Sequence, residues 1–334
     1  HTKMKAAYIT ATGTPDAIAI GNLPDPVAGP GEVVIRVSCS ALNPIDLYIR
    51  AGTVPMTLPT PFIPGCDFAG VVESVGAGVA DLKPGDRVWG SNQGLLGRQG
   101  TLAEKITAKR EWIYPSPNGV TDEALAATAL VGITAHLALF RGAGLKQGET
   151  IYIPGGTGGV GSMLVAMAVA AGAKVLCSVG NEEKARLAQS WGARTVIHRK
   201  DDIPARIAEF TGGKGLDVWV ETQREPDFMT MVPAMAPRGR MVLIAGRAAQ
   251  PVFPVGPFYV KGLTLTGFAM FNASPQEQAA CAADISSWLA SGKIKPVIAK
   301  RFSLDQAAEA HRFLEASTLG MAGQVVGKVV VNLA

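Results

Sequence analysis

A run of glycines between residues 155 and 161 has the clearest chemical meaning in this sequence. Gly156, Gly158 and Gly161 have the spacing G-x-G-x-x-G, after a short apolar run at 150–153 and before a longer one. Such glycines allow a tight turn and a close approach of the backbone to a ligand, and the next helix offers free N–H groups. This pattern predicts a turn that binds a pyrophosphate. The predicted contacts are Gly156, Thr157, Gly158, Gly159, Val160 and Gly161.

The residues that follow this turn bear on the choice of dinucleotide. An NAD-binding protein normally has an acidic residue about twenty positions later, which binds the ribose 2′-hydroxyl. This chain has Asn181 there, with Lys184 and Arg199 nearby. A neutral residue with two cations favours a 2′-phosphate, so we expect NADPH with contacts from these three residues. The alternatives are that the cations are solvated surface charges, or that Glu182 or Glu183 points inward and restores a preference for NAD.

Cysteine and histidine show no metal-binding pattern. The four cysteines are scattered without a C-x-x-C motif, and the four histidines lack ligand spacing. We therefore expect no metal, no disulfide framework and a reducing, cytoplasmic location.

Composition limits the class of partner. Of 334 residues, 48% are hydrophobic and 17% are charged, which excludes intrinsic disorder. The net charge is only +4 and no dense basic run is present, so we expect a small-molecule partner rather than nucleic acid. The longest apolar stretch, 163–171, is too short to span a membrane, and we expect no membrane partner.

Two patterns divide the chain. From about residue 5 to 117, short β-rich runs alternate with turns rich in Pro and Gly, which predicts a barrel-like β domain. Beyond Thr121 and Asp122, a predicted helix start, apolar helices alternate with short apolar strands, including 240–245. This alternation predicts a parallel sheet, and hence an α/β fold. The predicted division is 1–122, 123–266 with the glycine turn, and 267–334 returning to the first domain.

The order of several motifs resembles the medium-chain dehydrogenase/reductase superfamily, and more narrowly its zinc-free quinone oxidoreductase branch, which is zeta-crystallin-like. The resemblance covers nearly the whole chain. The motifs that carry it are ALNPIDLYIRAG at 41–52, PGCDFAGVV at 64–72, KPGDRV at 83–88, GITA at 132–135 and GGTGGVG at 155–161.

This resemblance implies a Rossmann doubly wound parallel sheet domain that binds NADPH, a GroES-like β-barrel catalytic domain, and an active cleft between them. By similarity, Asn43, Tyr48 and Thr134 lie near the nicotinamide. The implied wall of the nicotinamide site comprises Ile244, Ala245, Gly246, Phe268, Ala269 and Met270.

Three departures from relatives are visible. Zinc-dependent members have a cysteine in the region of Asn43 and a Gly-His-Glu stretch where this chain has 65–67, Gly-Cys-Asp. The usual three zinc ligands are therefore missing, and a remnant pair of Cys66 and Asp67 is the alternative. Many relatives have Tyr at the position of Arg199. Relatives also commonly have an Asp-Ser-Val-Gly-Gly type stretch where this chain has ETQREP at 221–226, so their cofactor contacts are not carried over.

The implied chemistry is a two-electron reduction. We expect the nicotinamide C4 hydride to pass to a quinone, or to the β-carbon of an α,β-unsaturated carbonyl. Tyr48 or an ordered water would donate the proton, and Asn43 a hydrogen bond to the developing negative charge. We expect Asp46 and Arg50 to form an internal ion pair. The alternatives are an alkenal or enoyl reductase with little quinone activity and a non-catalytic NADPH-binding sensor.

One segment bears on assembly. The stretch GLTLTG at 262–267 predicts an edge strand of the parallel sheet. Because a bare apolar edge invites pairing with a second copy, we expect a homodimer.

Overall fold

The structure, a computed structural model, describes residues 2–318 and 326–333. The strands are β1 Lys3–Tyr8, β2 Ala19–Pro24, β3 Glu32–Ala41, β4 Asp67–Val75, β5 Arg87–Gly90, β6 Lys105–Lys109, β7 Ile113–Pro115, β8 Thr150–Ile153, β9 Lys174–Val179, β10 Arg194–Ile197, β11 Leu216–Glu221, β12 Met235–Leu243, β13 Thr264–Gly267, β14 Ile298–Ser303 and β15 Lys328–Asn332. The helices are α1 Pro44–Ala51, α2 Asp122–His136, α3 Gly159–Ala170, α4 Glu182–Ser190, α5 Ile203–Phe210, α6 Phe228–Ala234, α7 Val255–Val260, α8 Pro275–Ser291 and α9 Ala307–Thr318.

The chain forms two compact units. The first comprises the described residues of 1–130, 275–290 and 296–334, and the second comprises 131–274 and 291–295. The predicted divisions lie after residues 122 and 266, whereas the units divide after residues 130 and 274. Helix α2 is continuous across residue 130, so no turn signal marks that point in the sequence. Of the predicted third segment, 319–325 and 334 lie outside the described residues.

The first unit is built on a sheet with the order β14-β15-β3-β4-β5-β7, and β6 also pairs with β3. The pair β14 and β15 is parallel, and the other neighbours run antiparallel. Val33, Ile35 and Val37 alternate along β3 and are all buried, so one face of this strand forms core. Two register shifts between β3 and β4 bend these strands, as a barrel-like sheet requires.

The second unit confirms the predicted doubly wound parallel sheet. Its strands have the order β10-β9-β8-β11-β12-β13, and every neighbouring pair is parallel. The chain first winds outwards from β8 through β9 to β10, and then continues on the other side of β8 with β11. In such sheets, ligands bind beside the carboxyl ends of the strands at the point where the order reverses.

One predicted strand ends earlier than expected, and the predicted edge strand ends at the expected residue. The predicted strand 240–245 is part of β12, which ends at Leu243, and Gly246 turns the chain with a φ of +91°. The predicted edge strand 262–267 is β13, which also ends at Gly267, and a 3₁₀ turn follows at Met270–Asn272. The predicted nicotinamide-wall residues therefore follow the ends of two strands. Strand β13 is at one edge of the sheet, as predicted.

Among the described residues, one helix, Asp122–Gly142, is long and apolar enough to cross a membrane. Because 78% of its most apolar window is buried, it has the character of a core helix in a soluble protein. The hydroxyl of Thr121 accepts a hydrogen bond from the N–H of Ala124 over 3.1 Å, which confirms the predicted helix start.

Candidate active site

The glycine turn joins β8 to α3 and is tied to the neighbouring strand β9. The N–H of Gly155 donates to Oγ of Ser178 over 3.0 Å, and the N–H of Gly156 donates to the carbonyl of Ser178 over 2.9 Å. Gly155 has a φ of +70°, a conformation that favours glycine. Gly158 is the N-cap of α3, so the first free N–H groups of that helix follow it.

Two glycines of this turn are required by packing, and a third faces open space. A Cβ on Gly156 would lie 2.5 Å from Sγ of Cys177, and one on Gly161 would lie 2.0 Å from the carbonyl oxygen of Gly155. A Cβ on Gly158 would meet only the oxygen of Gly155, at 3.5 Å. The turn is thus tightly packed at Gly156 and Gly161 and open at Gly158. Its free N–H groups suit the pyrophosphate of a dinucleotide.

The second unit also contains an unsatisfied buried hydroxyl. Thr134 is 8% exposed, and its Oγ1 has no hydrogen-bond partner within the described part of the chain. A buried hydroxyl without a partner costs free energy, which a ligand with a polar group would offset. The family resemblance implies that Thr134 lies near the nicotinamide, whose carboxamide is such a group.

The implied nicotinamide-wall residues lie at the carboxyl edge of the same sheet. The N–H of Ile244 donates to the carbonyl of Glu221, and that of Phe268 to the carbonyl of Leu243, over 3.3 and 3.4 Å. Arg141 is placed over the ring of Phe268, 5.3 Å from its centroid. The members of this edge are Ile244, Ala245 and Gly246 after β12, and Phe268, Ala269 and Met270 after β13.

The predicted 2′-phosphate residues follow β9 and β10. Asn181 is the N-cap of α4, and its Oδ1 accepts the N–H of Lys184 over 2.9 Å. The ammonium of Lys184 lies 3.8 Å from the position a Cβ on Gly180 would have. Arg199 is exposed and has a φ of +70°. Glu182 forms an ion pair with Lys200 over 3.0 Å, so its carboxylate is engaged there.

In the first unit, helix α1 carries Tyr48 and begins with a capping box. Asn43 is the N-cap, Pro44 occupies the first helical position, and the carboxylate of Asp46 accepts the N–H of Asn43 over 2.8 Å. Tyr48 is half-buried one turn further along. The motif ALNPIDLYIRAG therefore forms a strand end, a cap and a short helix.

The side chain of Asn43 is fully buried and joins two charges. Its Oδ1 accepts from the ammonium of Lys328 over 2.5 Å, and its Nδ2 donates to Oδ2 of Asp67 over 2.8 Å. The other oxygen of Asp67 accepts from Ser91 over 2.6 Å and from the N–H of Leu130 over 3.2 Å. Burial raises the pKa of Asp67 and lowers the pKa of Lys328, so each charge depends on the other.

The expected ion pair between Asp46 and Arg50 is wrong. The two oxygens of Asp46 accept from the N–H of Asn43 and from Sγ of Cys66. Arg50 instead donates to Glu315 over 3.3 Å and contacts His311. The N-cap needs an acceptor at the third helical position, which turns Asp46 away from Arg50.

Family models match both parts of the chain. A model described as alcohol dehydrogenase GroES-like domain matches residues 29–118, and one described as zinc-binding dehydrogenase matches residues 159–287. Among curated proteins, the quinone oxidoreductase of Lama guanicoe is 30% identical over 325 residues, which cover 97% of each chain. The quinone oxidoreductase of Pseudomonas aeruginosa is 33% identical, with 93% of this chain and 96% of the relative covered. The chain belongs to the quinone oxidoreductase branch of the medium-chain dehydrogenase/reductase superfamily.

One more curated relative and two solved structures are similar to this member of the quinone oxidoreductase branch. A 2-haloacrylate reductase of a Burkholderia species is 29% identical, with 98% of each chain covered. The Escherichia coli quinone oxidoreductase complexed with NADPH has a TM-score of 0.85 and 26% identity over 98% of this chain and 99% of that one. A mycobacterial protein complexed with NADPH has a TM-score of 0.82 and 30% identity, at the same coverage. The fold and the family agree with the resemblance seen in the sequence.

The sequence did not predict that the segment 221–226 contributes to the candidate site, although its departure from relatives could have indicated this. The side chains after β11 lie against the glycine turn. Oγ1 of Thr222 donates to the carbonyl of Pro154, and Nε2 of Gln223 lies 2.7 Å from the position a Cβ on Gly155 would have. Burial raises the pKa of the neighbouring Glu221 to about 7. This segment therefore adds polar groups beside the predicted pyrophosphate site.

The residues at the zinc positions of the superfamily do not fit a zinc ion. Sγ of Cys66 donates to Asp46 over 3.2 Å, and burial raises the pKa of this thiol, whereas zinc binds the thiolate. Asp67 is occupied by Asn43, Ser91 and Leu130. Across residues 2–318 and 326–333, no three His, Cys, Asp or Glu side chains are grouped to hold a metal. A remnant pair of Cys66 and Asp67 therefore has no structural support.

Proposed function

We propose that this protein is an NADPH-dependent, zinc-independent reductase of quinones or related electrophilic carbonyl compounds. The observation that carries this proposal is the glycine turn, which is closed by packing at Gly156 and Gly161 and open at Gly158. Relatives named quinone oxidoreductase match this chain over nearly its whole length. When bound, NADPH supplies the hydride, and the protein supplies binding, orientation and exclusion of water.

NADPH binding divides among several groups of the second unit. The N–H groups after Gly158 hold the pyrophosphate, and the free hydroxyl of Thr134 accepts or donates a hydrogen bond to the carboxamide. Lys184 and Arg199 bind the 2′-phosphate beside Asn181, whose own oxygen caps α4. The pairing of Glu182 with Lys200 supports NADPH over NADH, since this carboxylate is neutralised there.

Proton transfer is assigned to the first unit. Tyr48 is half-buried, and its phenol is a suitable donor to a reduced oxygen, directly or through an ordered water. Asn43 belongs to the same proposed machinery. Its complete burial between Lys328 and Asp67 favours action through the placement of Tyr48 over direct contact with the acceptor.

A second candidate function is reduction of an activated carbon–carbon double bond. It is favoured by the relative named 2-haloacrylate reductase, because a haloacrylate is an α,β-unsaturated acid. The same residues serve this reaction, since an enone and a quinone both accept hydride and then a proton. A non-catalytic NADPH sensor is the remaining alternative.

Loss of reduced-nicotinamide absorbance separates these functions. NADPH and NADH are each tested with simple quinones, an alkenal and a saturated aldehyde, with and without a chelator. Oxidation of NADPH by quinones that resists the chelator is expected. Turnover only with the alkenal would favour the second function, and tight NADPH binding without turnover would favour the sensor.

We also propose a homodimer formed through the edge of the parallel sheet. Strand β13 has a neighbour, β12, on one side only within the described sheet. The segment before it exposes large apolar side chains, which a second copy would cover. These are Val252, Val255, Tyr259 and Val260, each more than 60% exposed.

A cytoplasmic location and a small-molecule partner, without nucleic acid or membrane, complete the proposal. The four cysteines are buried and form no disulfide within the described residues, which suits a reducing compartment.

A further inference from the structure

Three ionisable side chains of the first unit are buried together around Asn43. Asp46 is 1% exposed, Asp67 is 0% exposed and Lys328 is 7% exposed. Moving a charge out of water costs several kcal/mol unless an opposite charge and hydrogen bonds replace the water. Each member of this cluster therefore depends on the others being in place.

The two charges that contact Asn43 determine how its amide is oriented. An ammonium only donates and a carboxylate only accepts, so the amide oxygen must face Lys328 and the nitrogen must face Asp67. Lys328 also donates to the carbonyl of Leu42 over 2.7 Å, which holds the backbone just before the cap. Attraction to Lys328 is the main effect that opposes the rise in the pKa of Asp67.

This cluster lies at the start of helix α1. The backbone carbonyl of Asn43 accepts the N–H of Asp46, and the N–H of Asn43 donates to the carboxylate of Asp46. The position of Asn43 therefore determines where the helix begins. Tyr48 is five residues further along the same short helix. A shift of the cap therefore moves the phenol, because eight residues of helix move as a rigid element.

Two parts of the cluster stand at the zinc-ligand positions of the superfamily. Asn43 and the pair Cys66 and Asp67 stand where zinc-dependent members of the superfamily have a cysteine and a Gly-His-Glu stretch. In this chain these residues do not fit zinc, and the cation among them is an ammonium from β15, nearly 290 residues away.

We infer that Lys328 is a positioning residue: its ammonium is the internal cation of this cluster, orients the amide of Asn43, and thereby places α1 and Tyr48. The inference rests on the proposed function for the role of Tyr48. Lys328 itself does not touch the acceptor.

The first test is Lys328→Met, which keeps the length of the side chain and removes its charge. We expect kcat with a quinone to fall about tenfold or more, since small misplacements of catalytic groups cost this much. The Kd for NADPH, measured by fluorescence titration, should stay within about twofold, because the glycine turn belongs to the other unit. The matched control is Lys83→Met, at a side chain that is 82% exposed. A normal kcat in Lys328→Met would overturn the inference.

A double variant separates positioning from simple charge balance. In Lys328→Met with Asp67→Asn, the charge pair of Lys328 and Asp67 is removed as a whole, so the melting temperature should return towards that of the wild type. The amide of Asn43 has nevertheless lost both charged partners, so kcat should stay low. Recovery of kcat together with stability would mean that Lys328 only balances charge. If neither Lys328→Met nor the double variant folds, that result would also count against the inference.

Hydrogen exchange gives a readout that needs no turnover. Amides of residues 43–52 should exchange faster in both Lys328 variants than in the wild type, and at the wild-type rate in Lys83→Met. Unchanged protection would contradict the inference. If the wild type reduces no quinone, the proposed function fails, while this comparison still decides whether Lys328 holds the helix.

Discussion

The guanidinium of Arg50 lies 3.1 Å from Nδ1 of His311, and the two residues are 261 positions apart. Because a guanidinium only donates, Nδ1 accepts and the proton of the imidazole is on Nε2. That nitrogen has no hydrogen-bond partner among the described residues. Burial, with a smaller effect of the Arg50 charge, lowers the pKa of His311 to about 3. The histidine is therefore neutral and joins α9 to the helix that carries Tyr48.

This contact makes stability depend on pH. An unfolded histidine binds a proton below about pH 6.5, whereas the folded one does so only near pH 3. The unfolded state thus binds more protons in this range, and the free energy of unfolding falls as the pH decreases. From this residue we expect a loss of about 2 kcal/mol between pH 7 and pH 5. Urea denaturation of His311→Asn, which keeps an acceptor for Arg50, should show a smaller loss. His198→Asn, at an exposed histidine, is the control. An equal loss in the His311 and His198 variants would show that His311 is not the source of the pH dependence.

Cofactor choice depends on the two cations after β9 and β10. Lys184→Ala and Arg199→Ala should each weaken NADPH about tenfold, since each removes a charged hydrogen bond to the 2′-phosphate. NADH has no such phosphate and should bind nearly as before. Fluorescence titration with both cofactors measures this difference, and Lys214→Ala, at an exposed lysine between α5 and β11, is the control. Equal losses for NADPH and NADH would remove the assignment.

The glycine turn gives a matched pair of substitutions. A Cβ at position 161 would overlap the carbonyl oxygen of Gly155, so Gly161→Ala should lower the free energy of unfolding by about 3 kcal/mol or more. Gly158 has a φ of −71° and open space around it, so Gly158→Ala should fold with nearly wild-type stability. Chemical denaturation of both variants checks this, and a stable Gly161→Ala would show that the turn relaxes.

The role of Tyr48 is tested by Tyr48→Phe. Loss of a general acid should lower kcat with a quinone about a hundredfold, while the Kd for NADPH stays the same. Tyr8→Phe removes a phenol from β1 of the same unit and serves as the control. An unchanged kcat would assign proton donation to water.

Assembly depends on the exposed apolar residues before β13. A charge in a buried interface is costly, so Val260→Glu should convert a dimer to a monomer at micromolar concentration. Light scattering gives the mass, and the wild type should have twice the mass of the variant. Val27→Glu, at another highly exposed valine in the first unit, is the control. A monomeric wild type would end the proposal.

The predictions that succeeded depend on local sequence. Gly156 and Gly161 are required by contacts with the next strand or within the turn, and Gly155 by its positive φ, so these glycines between a strand and a helix indicate a dinucleotide fold. The parallel sheet could likewise be predicted, because strands covered on both faces have continuous apolar runs.

The predictions that failed involve partners that are distant in sequence. Asp46 and Arg50 are one turn apart on a helix, which suggests an ion pair. Asp46 instead caps the helix, and Arg50 turns to α9. No local pattern contains this information, because Glu315 is 265 positions from Arg50.

The sequence by itself determined the family, the two kinds of unit and the glycine turn, since each is encoded in short motifs with a required backbone geometry. Only the tertiary structure decided which charges meet around Asn43. The ammonium of Lys328 reaches it because β15 pairs with β3, the strand that leads into α1. Long-range strand pairing thus determines the electrostatics of the candidate site.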